Sequence, residues 1–213
     1  MLLEWEQVSG IDKGFQLKEI SFALPEGYIM GLAGANGAGK TTLINYMMNP
    51  QKRYEGTIRL NGEDIHADHR KMMNDIGFVS EENLFFRDVT VQEHAIMLAG
   101  FYENWDMAYF QETLKQLKIP FGRMVGKLSR GENMKFQMAF AMAHHPKLYL
   151  LDEVTAGMDP VFRIDFFKLL QKVISEEQAS VLMTSHIQGE MERKMDYIGI
   201  LEKGRLKSFG EAI

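Results

Sequence analysis

The segment Gly34-Ala35-Asn36-Gly37-Ala38-Gly39-Lys40-Thr41-Thr42 follows directly on the apolar run Tyr28-Ile29-Met30-Gly31-Leu32-Ala33, and this junction constrains the fold more than any other feature of the chain. It fits the spacing G-x-x-x-x-G-K-[ST] of a phosphate-binding loop set between a buried strand and a helix. Glycines let successive backbone N–H groups turn inward on an anion, and the positive end of the following helix adds to the field. Lys40 is placed to reach the β and γ phosphates of a nucleoside triphosphate. The Thr41 hydroxyl is placed to meet magnesium, a hard cation that takes oxygen ligands. The expected phosphate contacts are therefore Gly34, Asn36, Gly37, Ala38, Gly39, Lys40, Thr41 and Thr42. A glycine-rich turn that binds nothing is the competing reading, but little else requires a Lys-Thr pair after such a loop.

The rest of the chain sets ordinary bounds. Its 213 residues can bury a substantial core, and 46% hydrophobic with 25% charged residues is the balance of a globular protein. A formal net charge of -5 gives no electrostatic reason to expect a nucleic-acid partner. Without cysteine there is no disulfide framework. No stretch approaches the roughly 18 apolar residues of a membrane span. Met1-Leu2-Leu3-Glu4-Trp5-Glu6 lacks the charged and apolar regions of a signal peptide, so any membrane role is expected to run through a partner. The 16 methionines are read first as adaptable core filler.

Periodicity gives an α/β fold. Leu2 to Val8, Leu17 to Leu24 and Thr57 to Leu60 are short runs that alternate, as expected for an antiparallel sheet beside the phosphate loop. Ile76 to Val79, Leu148 to Leu151 and Ser180 to Thr184 are nearly all apolar, as expected for parallel strands covered on both faces. Between about 90 and 145 the pattern turns helical: Thr90-Val91-Gln92-Glu93 reads as a capping box, and Pro120 and Pro146 punctuate the block. Asp159-Pro160 opens a further helix, and Tyr197 to Leu206 reads as a hairpin turning at Lys203-Gly204. The expectation is one domain with a mainly parallel central sheet, an N-terminal antiparallel β subdomain and an inserted α-helical subdomain. The core with its β subdomain spans 1–88 and 146–213, and the helical subdomain spans 89–145.

A phosphate-loop enzyme that hydrolyses its triphosphate needs a carboxylate to help hold the metal and a group to orient the attacking water. Leu148-Tyr149-Leu150-Leu151-Asp152-Glu153 supplies both acids at the end of a buried strand. Asp152 is assigned to magnesium and Glu153 to the water. The alternative is an Asp-Glu pair that merely starts a loop, and downstream of a phosphate loop the functional reading is preferred.

With these motifs in place, the chain resembles the ATP-binding subunits of ABC transporters over nearly its entire length. Leu128-Ser129-Arg130-Gly131-Glu132 stands where that family carries Leu-Ser-Gly-Gly-Gln, Ala156-Gly157-Met158-Asp159 is similar to its D-loop, and Thr184-Ser185-His186 to its switch histidine. More narrowly, Leu24 to Leu32 and Ile76 to Glu81 resemble short exporter ATPases of Gram-positive bacteria, of the phenol-soluble-modulin-exporter and acetoin-operon types. The resemblance implies a P-loop NTPase core with ATP and Mg2+ as ligands. It implies His186 on the γ phosphate, Ser129 and Gly131 at the nucleotide of a partner subunit, and Asp159 among the nucleotide-binding residues. Two chains, identical or paralogous, would close head-to-tail around ATP and drive a separate membrane permease from the cytoplasmic face.

Several positions depart from the family pattern. Glu81 stands where a glutamine is usual in the Q-loop and is expected to face the metal as a charged oxygen ligand. Arg130 and Glu132 replace Gly and Gln of the signature, and Val154 stands where proline is usual. Phe15 has the only ring in the region of Ile11 to Phe15 and is taken as the adenine-stacking residue. Of Phe85 and Phe86, at least one is expected on the surface as part of an apolar socket for a membrane partner. Two rival functions remain open. A small nucleotide kinase would explain Lys40 and Asp152 but not the 128–132 signature or His186, and an ABC-type ATPase could do mechanical or regulatory work on a membrane partner without transport.

Overall fold

The computed structural model describes residues 1–82, 85–155, 158, 160–186 and 194–212, and for Pro160 and Val161 the backbone alone. Among the described residues, two sheets and a group of helices enclose three hydrophobic clusters. Strands β1 (Leu3–Asp12), β2 (Phe15–Leu24), β4 (Glu55–Leu60) and β5 (Glu63–Asp64) form an antiparallel sheet in the order β2-β1-β4-β5. The second sheet is mainly parallel. It contains β3 (Ile29–Ala33), β6 (Ile76–Ser80), β7 (Leu148–Asp152), β8 (Ser180–Ser185), β9 (Tyr197–Glu202) and β10 (Arg205–Glu211), in the order β10-β9-β3-β8-β7-β6. Its β9-β10 edge closes the expected hairpin, and β3, β8 and β7 are buried throughout, which is why their sequences are apolar runs without alternation.

Helix α1 (Lys40–Met48) follows the phosphate loop, α2 (His69–Asn74) precedes β6, and α6 (Pro160–Glu177) leads into β8. Between β6 and β7 lie α3 (Val91–Ala99), α4 (Met107–Gln116) and α5 (Arg130–Met142). The Thr90 capping box forms: its side chain accepts from the Glu93 N–H, and the Glu93 carboxylate accepts from the Thr90 N–H at 2.8 Å. Helix α5 is buried on two sides. Phe136 and Phe140 pack with Phe110 and Leu114 of α4, whereas Met134, Met138 and Met142 pack with Val79, Tyr149 and Leu151 of the parallel sheet. Flexible methionines fit the irregular gap between helix and sheet, as their number in the sequence implies.

Candidate active site

Parallel pairing brings four strand ends to one edge. The registers Ala33↔Ser185, Leu151↔Met183 and Ser80↔Asp152 align the carboxyl ends of β3, β8, β7 and β6. In a sheet of this kind ligands bind in the crevice just beyond those ends. Here that crevice receives the phosphate loop, His186, the Asp152-Glu153 pair and Glu81.

The loop is built by close approach. Gly39 caps α1 with φ 113°, a left-handed conformation that favours glycine, and a Cβ there would come within 2.7 Å of Cε1 of Phe15. A Cβ on Gly34 would come within 2.5 Å of the Leu201 carbonyl oxygen. Lys40 is only 3% exposed; its Nζ donates to the carbonyls of Gly34 at 2.7 Å and Ala35 at 3.2 Å and lies 3.1 Å from Oε1 of Glu153. Asn36, Gly37, Thr42 and the ring of Phe15 join Gly39, Lys40, Thr41 and Glu153 around a cleft of about 480 Å³. Two of the expected phosphate contacts use their N–H groups inside the protein: Gly34 donates to Ser185 at 3.2 Å and Ala38 to Ala35 at 3.0 Å.

The acids sit beside this cleft. Asp152 accepts from the Thr41 hydroxyl at 3.1 Å and from the Thr184 hydroxyl at 2.6 Å. Burial pushes the Asp152 pKa up, and these two hydrogen bonds oppose the shift. A hydroxyl and a carboxylate sharing a recessed, oxygen-rich position fit magnesium, a hard cation. Glu153 adopts φ 53°, a conformation that costs a side-chain-bearing residue about 1–3 kcal/mol. Its N–H donates to the Thr184 hydroxyl at 3.0 Å, and its carboxylate lies between Lys40 and Nδ1 of His186, the latter 3.7 Å away. The strained backbone thus holds one carboxylate between two cationic or titratable groups.

The N–H of Glu81 donates to the Asp152 carbonyl at 3.2 Å, and its carboxylate pairs with Arg130. Glu81 also lines a cleft of about 470 Å³ together with Thr41, Ser80, Asp152 and Glu153. Ser129 caps α5: its Oγ accepts from the Glu132 N–H at 3.3 Å, and the Glu132 carboxylate accepts from the Ser129 N–H at 2.8 Å. Glu132 therefore completes a capping box. Ser129 is exposed, and neither it nor Gly131 lines the Lys40 cleft. Asp159 lies outside the described residues.

The profile of the ABC transporter family matches residues 17–156. The chain belongs to the ABC transporter family. It is an ATP-binding ATPase of that family, in which hydrolysis is coupled to transport. It is 32% identical over 206 residues to the ABC transporter ATP-binding protein YtrB of Bacillus subtilis (strain 168), covering 96% of this chain and 70% of that protein. It is 30% identical over 189 residues to the bacitracin transport ATP-binding protein BcrA of Bacillus licheniformis, covering 88% of this chain and 62% of that one. The solved structure of an ATP-binding subunit of an ABC transporter superposes with a TM-score of 0.87 at 25% identity, covering 99% of this chain and 90% of that one.

Two residues of this ABC ATPase escape sequence reasoning. Thr184, read in the sequence only as the lead-in to His186, ties Asp152 to Glu153 through a single hydroxyl at the end of a buried strand. Gln137 is 1% exposed on α5. Its amide donates to the carbonyls of Ser80 at 3.0 Å and Glu82 at 3.2 Å, and its oxygen accepts from the Ser80 N–H at 3.0 Å.

Proposed function

We propose that this chain is the nucleotide-driven subunit of an ABC exporter of the short Gram-positive type, the one with phenol-soluble-modulin and acetoin-operon examples. It binds ATP at the Lys40 cleft, closes head-to-tail with a second copy, and works a separate permease from the cytoplasmic face of the membrane. The observation that carries this reading is the convergence of Lys40, Thr41, Asp152 and Glu153 at one sheet edge, with the capped, exposed Ser129 on a surface outside that cleft. The name of BcrA, a bacitracin transport ATP-binding protein, supports a transport role.

In this reading the backbone of residues 36, 37 and 39–42 and the Lys40 ammonium neutralise the outer phosphates. Thr41 and Asp152 would hold magnesium, which supplies charge neutralisation to the transferring phosphoryl group. Glu153 orients the attacking water and accepts its proton, and His186 donates to the γ phosphate. Phe15 presents its ring to the base. Ser129 and Gly131, at the positive end of α5, contact the nucleotide of the partner copy. Phe86, 62% exposed, offers the apolar socket for the permease, whereas Phe85 packs among His94, Phe136 and Phe140.

The molar mass of the Glu153→Gln variant by light scattering, with and without magnesium and ATP, tests the reading. A monomer that doubles in mass only with ATP, beside a wild type that releases phosphate without a second acceptor, is the expected result. A persistent monomer would reject self-pairing, and phosphate transfer to an added nucleotide would replace the reading with a kinase.

A further inference from the structure

Two positions at which this chain departs from the family pattern, Glu81 and Arg130, meet in space. Their ion pair closes one side of a cleft that Arg87, Leu128 and Asn133 also line, between the segment after β6 and the start of α5. Glu81 sits between Ser80 and Glu82, and Gln137 holds the backbone of both. Arg130 and Gln137 are seven positions apart on α5, about two turns, so they share one face of the helix. Residues 80–82 are therefore tied to α5 by Gln137 through the backbone and by Arg130 through the Glu81 carboxylate. On its other side, Glu81 donates its N–H to the carbonyl of Asp152.

We propose that Glu81 is a positioning residue for the signature segment and not a metal ligand. Its pair with Arg130 sets where Ser129 stands relative to Asp152, so the chain's own nucleotide cleft is linked to the surface it offers a partner copy. The proposal rests on the reading of Ser129 as a contact to the partner's nucleotide. A guanidinium suits this task because its planar fork fixes the carboxylate in direction as well as distance. The link is partly exposed, so its effect is modest and sensitive to salt.

The test places Glu81→Ala, Arg130→Ala and the charge exchange Glu81→Arg with Arg130→Glu in the full-length Glu153→Gln chain. Light scattering measures the protein concentration at which ATP and magnesium half-convert monomer to dimer. A magnesium titration of nucleotide binding to the monomer is run alongside. Each single variant is expected to raise the half-conversion concentration roughly two- to fivefold. The magnesium midpoint should stay fixed, and the charge exchange should restore dimerisation. A magnesium midpoint that rises with Glu81→Ala but not with Arg130→Ala would overturn the proposal in favour of direct metal ligation. Single variants that dimerise like their parent would overturn it alone, whereas a parent that never dimerises would overturn the functional reading beneath it as well.

Discussion

Nζ of Lys40 lies 3.1 Å from Oε1 of Glu153, so the lysine of the phosphate loop and the carboxylate beyond β7 are direct partners. In the function proposed above, a phosphate arriving at Lys40 would compete for the same ammonium and leave Glu153 to turn to a water. The pair would then couple occupation of the loop to release of the base.

Glu153→Gln keeps the shape and a hydrogen-bond acceptor for Lys40 but loses the proton acceptor. Turnover should fall about 10²- to 10⁴-fold while nucleotide affinity is retained. Phosphate release and equilibrium binding of ATP separate the two effects. Undiminished hydrolysis would remove Glu153 from its role.

Thr184→Val replaces a hydroxyl that both donates to Asp152 and accepts from the Glu153 N–H. Leaving these buried groups without a partner should cost about 1–3 kcal/mol of stability. The same change frees Asp152 to rotate and Glu153 to leave its left-handed backbone. Urea denaturation should show the loss of stability, and the maximal hydrolysis rate should drop more than the ATP requirement changes.

Gln137→Leu fits the apolar surroundings of α5 but strands an N–H and two carbonyls of Ser80 and Glu82. The expected cost is about 3 kcal/mol. Gln137→Glu retains acceptors but loses both donors, so it should destabilise as well. A thermal midpoint equal to wild type in either variant would contradict the clamp.

Burial lowers the pKa of His144 from 6.5 to about 4, and its Nε2 pairs with the carbonyl of Ile76 at 3.1 Å. The unfolded chain therefore takes up a proton before the folded one as pH falls. Stability is fully present above about 6.5 and declines towards 4, by about 3 kcal/mol in total. His94, also lowered by burial, adds to the decline in the same direction. Chemical denaturation at a series of pH values should show this slope, and His144→Gln should flatten it in part.

What the sequence revealed was local. The phosphate loop, the Asp152-Glu153 pair and the Thr90 capping box each depend on neighbours within a few positions, and spacing alone displays them. Strand β1 shows where locality ends. Its alternation is clean only to Glu6, because Gln7 takes φ 52° and the register shifts between Trp5 and Val8 and again before Gly10. Each shift moves later side chains to the opposite face, so the strand continues to Asp12 after its pattern has dissolved. The pairing of Glu81 with Arg130 was hidden for a longer-range reason. The two residues are 49 positions apart, and Gln137 is 57 positions from Ser80, distances over which no period carries information.

The two-sided burial of α5 also governs how the molecule comes apart. Its phenylalanines belong to the helical group and its methionines to the parallel sheet, so neither lobe can melt without stripping the other. Excising 89–145 would unroof the β6–β7 face that Met134, Met138 and Met142 cover. The parallel sheet and the helical group are stitched together through this one helix, and heat should unfold them in one transition.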